Sequence, residues 1–73
     1  MNDRPVPILE KGEGTVYAIR DSKMKGRLIS LGIIKGKPIR ILRSTAFGGA
    51  YYVLVDRHSF GMRKEELDQI LVV

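Results

Sequence analysis

The fold is decided by residues 27–42, which read RLISLGIIKGKPIRIL. Before and within this stretch, Met24, Leu28 and Leu31 recur at positions i, i+4 and i+7, the spacing of one face of an α-helix. Ser22 precedes them and is a residue type that accepts a hydrogen bond from an early backbone N–H group. The pattern therefore predicts a short helix that is capped by Ser22 and buries one apolar side.

Two glycines in the same stretch predict where the helix ends and a strand begins. Gly32 follows the last periodic residue, where a glycine closes a helix in the left-handed conformation without a Cβ clash. Gly36 stands before a Lys-Pro pair and predicts a tight turn. After this turn Ile39 and Ile41 alternate with polar residues, as in a strand. We expect the helix to dock directly onto this strand.

Further strands are predicted on both sides of this unit. The five predicted strands cover residues 15–19, 38–43, 51–55, 60–62 and 70–73, with about one turn of helix over residues 63–67. Residues 44–50 form a glycine-containing loop, residues 56–59 a polar turn, and residues 1–7 a loose lead. Short strands with one small helix after the first predict a mainly β protein, a small SH3-like β-barrel in a single domain over residues 1–73.

Alternation along the strands predicts which side chains face the barrel interior. The expected inward residues are Val16, Ala18, Ile39, Ile41, Val53, Val55, Ile70 and Val72. The opposite faces carry further apolar residues: Tyr17, Ile19, Leu42, Tyr52, Leu54 and Leu71. This outer set is either a group of scattered exposed hydrophobes or an apolar patch for a partner protein or a weak homo-oligomer.

Length and composition exclude several classes of function. A chain of 73 residues has no room for a deep catalytic cavity, and without cysteine it has neither disulfides nor thiolate metal ligands. Its longest apolar run is far shorter than the ~20 residues that cross a bilayer. The first residues lack the apolar core of a signal peptide, so we expect a cytoplasmic protein without a targeting segment.

The residues that carry chemistry do not form a catalytic or metal-binding pattern. No phosphate-binding loop of the GxxxxGK[ST] type is present. His58 is the one histidine, and with Asp56 it supplies two ligands in a predicted turn, fewer than the three or four that a metal site needs. The sequence therefore predicts no catalytic residue, no metal site and no cofactor, and a protein that is not an enzyme.

The segment from Arg27 to Gly36 resembles the signature R-L-x-x-L-G-[LI]-x-x-G of the FeoA family, small cytosolic partners of the bacterial ferrous iron transporter FeoB. The similarity extends from residue 9 to residue 73. Further matching positions are Ile39 to Arg43, Gly48, Gly49, Val55, Met62, Arg63, Glu66, Ile70 and Val72. The chain departs from the family pattern where Ala46 and Ala50 replace loop prolines and where Leu67 replaces an alanine.

The resemblance implies an SH3-like barrel with a short helical insertion, and an accessory module rather than an enzyme. It implies binding to the cytosolic GTP-binding domain of an FeoB-like transporter, modulation of iron uptake, and a family-level association with transition metal ions. We expect contact through the helix and the loop after the second strand. Lys25 and Arg27 would steer the encounter electrostatically, and Phe47, Tyr51 and Tyr52 would supply apolar anchors.

The net charge of +5 and the isoelectric point near 9.9 leave a second interpretation open. Basic SH3-like barrels also bind nucleic acid, through phosphate contacts and stacking on bases. The residues concerned would be Lys35, Lys37, Arg40, Arg43 and Arg57, with Tyr51, Tyr52 or Phe60 stacking. We expect no nucleic acid partner, because the basic residues are spread along the chain and the aromatics are few. A detached regulatory module, like the barrels of metal-dependent repressors, is a third interpretation.

Overall fold

The computed structural model describes residues 4–45, 47 and 49–73 and does not describe the side chain of Ser22. Its elements are β1 (Val6–Pro7), α1 (Ile8–Lys11), β2 (Glu13–Ile19), α2 (Ser22–Ser30), β3 (Pro38–Ser44), β4 (Ala50–Val55), β5 (His58–Arg63), α3 (Lys64–Leu67) and β6 (Ile70–Val72). The six strands form one antiparallel sheet in the order β1-β6-β2-β3-β4-β5. The mainly β class with a helix inserted after the first long strand is as predicted. No strand pairing between β1 and β5 closes the sheet within the described residues.

Strand β2 joins the two halves of this sheet because it changes partner along its length. Its first residues pair with β3, up to Thr15 opposite Pro38. From Val16 onward it pairs with β6, and the register shifts between Val16 and Ala18. Such a bulge bends a strand and increases its twist. Helix α2 packs against β2.

Helix α2 begins one residue earlier than the sequence pattern predicted. Asp21 has extended backbone angles and its carboxylate accepts a hydrogen bond of 2.8 Å from the Lys23 amide, so Asp21 is the N-cap. The prediction of Ser22 as the cap was wrong, because Ser22 is the first helical residue. Aspartate and serine are both strong N-cap residues, and the apolar periodicity does not determine which of two adjacent residues is the cap.

The end of α2 confirms the predicted role of Gly32, whose φ is 91°. The Gly32 amide donates to the Ile29 carbonyl at 2.9 Å, and the Ile33 amide donates to the Leu28 carbonyl at 3.0 Å. These two bonds are those of a Schellman motif, which characteristically brings the residues at both ends of the longer bond into apolar contact. Leu28 and Ile33 are accordingly both 0% exposed.

Leu31 corrects the predicted buried face of the helix. It is 36% exposed, whereas Leu28 is buried and Met24 is half-buried against the core. Leu31 is the C-cap residue with φ −86° and ψ 0°, so it has already left the helical path that would have placed it above Leu28. Ile33 takes the buried position instead.

The core contains the predicted inward strand residues except Ala18 and Ile41, which are half-buried. Ala18 follows a register shift in β2, and Ile41 precedes one in β3. At such a shift the alternation of inward and outward side chains is interrupted. Among the described residues the buried apolar set is Ile8, Val16, Leu28, Ile33, Ile39, Val53, Val55, Met62, Leu67, Ile70 and Val72.

The N-terminal segment is more ordered than predicted. Val6 and Pro7 form β1 and pair antiparallel with Val72 and Leu71 of β6. A proline, which has no backbone N–H group, is tolerated here because the outer side of an edge strand donates no hydrogen bond to a neighbouring strand. The next residue, Ile8, begins α1 and is 0% exposed, so this segment closes one end of the core. Residues 1–3 of the predicted loose lead lie outside the described residues.

Candidate functional site

Large apolar side chains that remain exposed indicate where this small domain offers contact surface. They are Tyr17, Ile29, Leu31, Ile34, Leu42, Phe47 and Tyr52. Tyr17, Ile29 and Ile34 line one groove of about 320 Å³ between α2, β2 and the segment that follows the helix. We call this the α2–β2 groove. Its lining residues are Val16, Tyr17, Ala18, Ile19, Lys25, Ile29, Ile33, Ile34 and Lys35.

The backbone holds the walls of the α2–β2 groove in place. The Gly36 amide donates to the Val16 carbonyl at 2.9 Å, and the Val16 amide donates to the Lys37 carbonyl at 2.9 Å. These bonds connect the segment after α2 to β2 at Val16, directly after the last β2 residue that pairs with β3. Ile34 lies within this segment and is 39% exposed. The groove is therefore formed by hydrogen-bonded backbone on both sides.

Two cations stand at the rim of the α2–β2 groove. Lys25 and Lys35 are both exposed, and the Lys35 ammonium lies 5.1 Å from the centre of the Tyr17 ring. That distance is within the range of a cation–π interaction. No acidic residue lines the groove, and the ion pairs found in the described part of the chain do not include either lysine.

A second groove lies on the opposite side of α2. Arg27 lines it together with Gly49, next to Glu66 at the start of α3. The guanidinium Nη2 of Arg27 is 3.2 Å from Oε2 of Glu66, and the Arg27 side chain is 70% exposed. Because Lys25 is two positions from Arg27, the two cations project from opposite sides of the buried Leu28.

The structure separates the five residues that the sequence predicted as a partner site. Lys25 lies at the α2–β2 groove and Arg27 in the second groove. Phe47 is fully exposed, whereas Tyr51 is half-buried and packs against the core. Tyr52 lies on the other face of β4, 42% exposed. Ala46 and Gly48, in the same predicted loop, lie outside the described residues.

Sequence reasoning placed Tyr17 on the outer face but did not connect it with Ile29 and Ile34. The sequence does contain one indication of the groove, because it has apolar residues at positions that the predicted core does not use. Ile29 lies off the periodic face of α2, and Ile34 follows Ile33 after Gly32. Which of Ile33 and Ile34 is buried depends on the Schellman bond to Leu28. The groove therefore emerges from the three-dimensional arrangement of the two elements.

The basic residues of the nucleic acid hypothesis have intramolecular partners at several positions. Lys37 forms an ion pair with Asp56 at 3.1 Å, and the Arg43 guanidinium lies 4.8 Å from the centre of the Tyr52 ring. Phe60 is half-buried and packs against the core. Lys35 lies at the α2–β2 groove, Lys37 directly precedes β3, Arg40 and Arg43 lie on β3, and Arg57 lies in the turn between β4 and β5.

A comparison with models of protein families matches the FeoA domain over residues 8–73. The chain belongs to the FeoA family. A search of curated protein sequences finds no significant match.

Solved structures agree with the FeoA assignment. An FeoA-like protein from Clostridium acetobutylicum is 26% identical, with a TM-score of 0.86 over 100% of this chain and 88% of that one. A crystal structure described as the iron uptake regulatory protein FeoA is 26% identical, with a TM-score of 0.76 and 94% of both chains covered. FeoA from Stenotrophomonas maltophilia, described as a procaryotic SH3 domain protein, is 26% identical, with a TM-score of 0.70 over 84% of this chain and 78% of that one. The SH3-like fold class is thereby confirmed.

The Stenotrophomonas maltophilia protein is described as complexed with zinc. Zinc sites use three or four convergent side chains. Across residues 4–45, 47 and 49–73, no three His, Cys, Asp or Glu side chains form a group that could hold an ion. The described residues therefore do not fit a zinc site of this kind.

His58 is placed differently from the prediction. The turn covers Asp56 and Arg57, and His58 is the first residue of β5, opposite Val55. This register leaves two residues for the connection, and Asp56 accommodates it with a φ of 56°. The predicted turn over residues 56–59 was too long, and β5 begins two residues before the predicted strand.

A bilayer-spanning helix requires about 20 mostly apolar residues. Among the helices in the described part of the chain, none is long and apolar enough to cross a membrane.

Proposed function

We propose that this chain is a cytoplasmic accessory protein of bacterial ferrous iron uptake that binds the GTP-binding domain of an FeoB-like transporter. Its role is to modulate the transporter through binding, and it is not an enzyme. The observation that carries the proposal is the FeoA-family match over residues 8–73. The relatives support it: one is described as an iron uptake regulatory protein and another as a candidate ferrous iron transport activating factor.

The surface of the molecule is consistent with a binding module. Among the residues that the structure describes, seven large apolar side chains are at least 36% exposed, and the chain carries a net charge of +5. Exposed aromatic and aliphatic side chains supply the anchors of protein interfaces, and cations around them raise the association rate with an acidic partner. Since GTP hydrolysis would take place on the partner, this chain needs no catalytic group of its own.

The residues proposed to contact the partner keep distinct roles in this arrangement. Phe47 and Tyr52 are exposed and supply apolar contact, and Lys25 and Arg27 supply positive charge on both sides of α2. Tyr51 packs partly on the core, so its contribution to binding is expected to be the smallest of the aromatic residues.

The proposal is tested by isothermal titration of the chain with the GTP-binding domain of the transporter from the same organism, loaded with GDP or with a non-hydrolysable GTP analogue. We expect saturable binding that weakens several-fold for Phe47→Ala and for Arg27→Gln. Arg27→Gln is preferred to a charge reversal, because a glutamate at position 27 would place a second carboxylate beside Glu66. Leu71→Ala, on β6 between β1 and β2, is the control variant.

A single-stranded oligonucleotide titrated at several salt concentrations separates this function from nucleic acid binding. Phosphate contacts would give an affinity that falls steeply with salt. Strong salt-dependent binding to the oligonucleotide without binding to the GTP-binding domain would refute the proposed function. A parallel assay of GTP hydrolysis by the domain measures whether the bound chain stimulates or slows it.

A further inference from the structure

The α2–β2 groove has the chemistry of a binding site, and we propose that it receives an acidic segment of the partner protein that carries apolar residues between its charges. This inference rests on the proposed function and adds to it the contact surface and the character of the segment that occupies it. Three features of the groove support its assignment as the binding site: exposed aliphatic and aromatic side chains, two cations at its rim, and walls held by backbone hydrogen bonds.

The apolar content of the groove is the first of these features. Tyr17, Ile29 and Ile34 are 43%, 44% and 39% exposed, and they come from a strand, a helix and the segment after the helix. Beneath them lie Val16 and Ile33, which are 1% and 0% exposed. Three separate elements thus present apolar surface toward one space. Covering that surface with apolar side chains of a partner is favourable, because it removes the surface from water.

The rim cations specify the sign of the partner's charge. Lys25 and Lys35 border the groove, and no acidic side chain of the described residues lines it. A partner segment with acidic residues beside its apolar ones would pair with both lysines, whereas a basic segment would be repelled. Lys35 also lies over the Tyr17 ring, so its charge is held near the apolar surface instead of extending freely into solvent.

The hydrogen-bonded walls of the groove reduce the entropic cost of binding. Val16 bonds to Gly36 and Lys37 through its carbonyl and amide, and Ile33 bonds back to Leu28. These bonds fix the walls before any partner arrives. A preformed surface loses less conformational freedom on binding than a loop that must become ordered.

The other exposed apolar residues do not combine these features. Leu31 lines a different groove, in which Lys37 is already paired with Asp56. Leu42 and Tyr52 lie on the outer face of β3 and β4, where Tyr52 is covered on one side by Arg43. Phe47 stands fully exposed on a loop. The α2–β2 groove is therefore the surface whose shape and charge together select an acidic apolar segment.

The test uses the full chain, labelled with ¹⁵N, and two kinds of probe. The first is the GTP-binding domain. The second is a synthetic amphipathic peptide about four helical turns long, with leucines at i, i+3 and i+7 and glutamates at both ends, compared with a version in which lysines replace the glutamates. Amide chemical shifts locate the binding surface, and titration gives the affinity.

Matched variants separate the groove from the rest of the surface. Ile29→Ser is compared with Leu42→Ser, because the two parent side chains are 44% and 45% exposed. One double variant carries Lys25→Glu and Lys35→Glu, and its control carries Lys11→Glu and Lys64→Glu. The control changes the net charge by the same amount, at exposed lysines outside the groove. Dispersed amide spectra confirm that each variant is folded.

We expect the acidic peptide and the domain to shift amides of Tyr17, Lys25, Ile29, Ile34 and Lys35. Ile29→Ser and the double lysine reversal should each weaken binding at least tenfold, with the two controls within about twofold of the parent chain. The lysine peptide should bind at least tenfold more weakly than the acidic one.

The remaining outcomes distinguish the inference from the function on which it rests. If the domain binds and the groove variants leave its affinity unchanged, the inference is wrong and the proposed function stands. If the acidic peptide binds at the groove but the domain does not, the groove is supported and the proposed function is refuted. Equal binding of both peptides overturns the charge argument. Self-association of the chain that Ile29→Ser abolishes would show that a second copy occupies the groove, and would also overturn the inference.

Discussion

Nη2 of Arg27 lies 3.2 Å from Oε2 of Glu66, and the other carboxylate oxygen of Glu66 accepts a hydrogen bond of 2.9 Å from the Arg63 amide. One carboxylate thus connects α2 with the first turn of α3, although the two elements are far apart in the sequence. The Glu66 side chain is 9% exposed, which is unusual for a glutamate unless its oxygens have partners. Arg27, the first residue of the family signature, therefore has a structural contact besides its proposed part in binding.

A double-mutant cycle measures this connection. Arg27→Met, Glu66→Gln and the double variant are compared by urea unfolding, since glutamine keeps an acceptor for the Arg63 amide. Because the Arg27 side chain is 70% exposed, solvent screens the pair, and we expect a coupling free energy of about 0.5–1 kcal/mol that decreases in high salt. Effects that add to within about 0.3 kcal/mol would contradict a direct interaction.

Asp21 provides a test of the N-cap assigned to α2. Asp21→Ala removes the acceptor of the Lys23 amide and is expected to lower the free energy of unfolding by about 1 kcal/mol. Asp21→Asn retains a capping oxygen and should change it by a few tenths of a kcal/mol. Urea unfolding of both variants checks the assignment, and equal stabilities of Asp21→Ala and Asp21→Asn would argue against it.

The local signals in the sequence predicted much of the fold because they act between near neighbours. Gly32 is an example: a glycine after a periodic apolar run has few roles other than a left-handed helix stop, and its φ of 91° agrees. Leu31, one residue earlier, was assigned to the buried face wrongly. The helical period was extended one residue too far, into the cap.

The parts that were not predicted depend on residues distant in sequence. β1 forms because β6, at the other end of the chain, offers an unpaired edge to Val6 and Pro7. The α2–β2 groove exists because β2 leaves β3 after Thr15 and because Gly36 bonds to Val16. Periodicity and residue type in a single segment contain neither piece of information. The sequence did predict the outward direction of Tyr17, which is a local property.

Gly14 marks a close approach between two strands, and Gly26 provides its control. A Cβ at Gly14 would lie 2.9 Å from the Val72 Cβ and from the Val73 carbonyl oxygen, whereas a Cβ at Gly26 meets nothing within 4 Å. We expect Gly14→Ala to destabilise the chain by about 1–3 kcal/mol, because β2 and β6 must separate. Gly26→Ala, in the middle of α2, should stabilise it by about 0.5–1 kcal/mol.

Thermal and urea unfolding of the two glycine variants check this pair together. Stabilisation by both alanines would show that β2 and β6 tolerate a side chain between them. Loss of stability in both would indicate that position 26 is more constrained than its open surroundings imply.

Ile8 tests whether the N-terminal segment belongs to the folded unit. Its side chain is 0% exposed, whereas that of Ile34 is 39% exposed at the α2–β2 groove. Ile8→Ala should lower the free energy of unfolding by about 2–5 kcal/mol through lost burial and a cavity, and Ile34→Ala by about 1 kcal/mol. A domain of this size has a total stability of about 4–11 kcal/mol, so Ile8→Ala removes a large part of it.

The milder Ile8→Val keeps this prediction measurable if Ile8→Ala does not fold, with an expected loss of about 0.5–1.5 kcal/mol in urea unfolding. Ile8 variants that are both as stable as the parent chain would contradict a core position for this side chain. Binding of the GTP-binding domain separates the two isoleucines further. Ile34→Ala should weaken it while the chain remains folded, and Ile8→Val should leave it unchanged, because a buried core position affects the partner only through the fold.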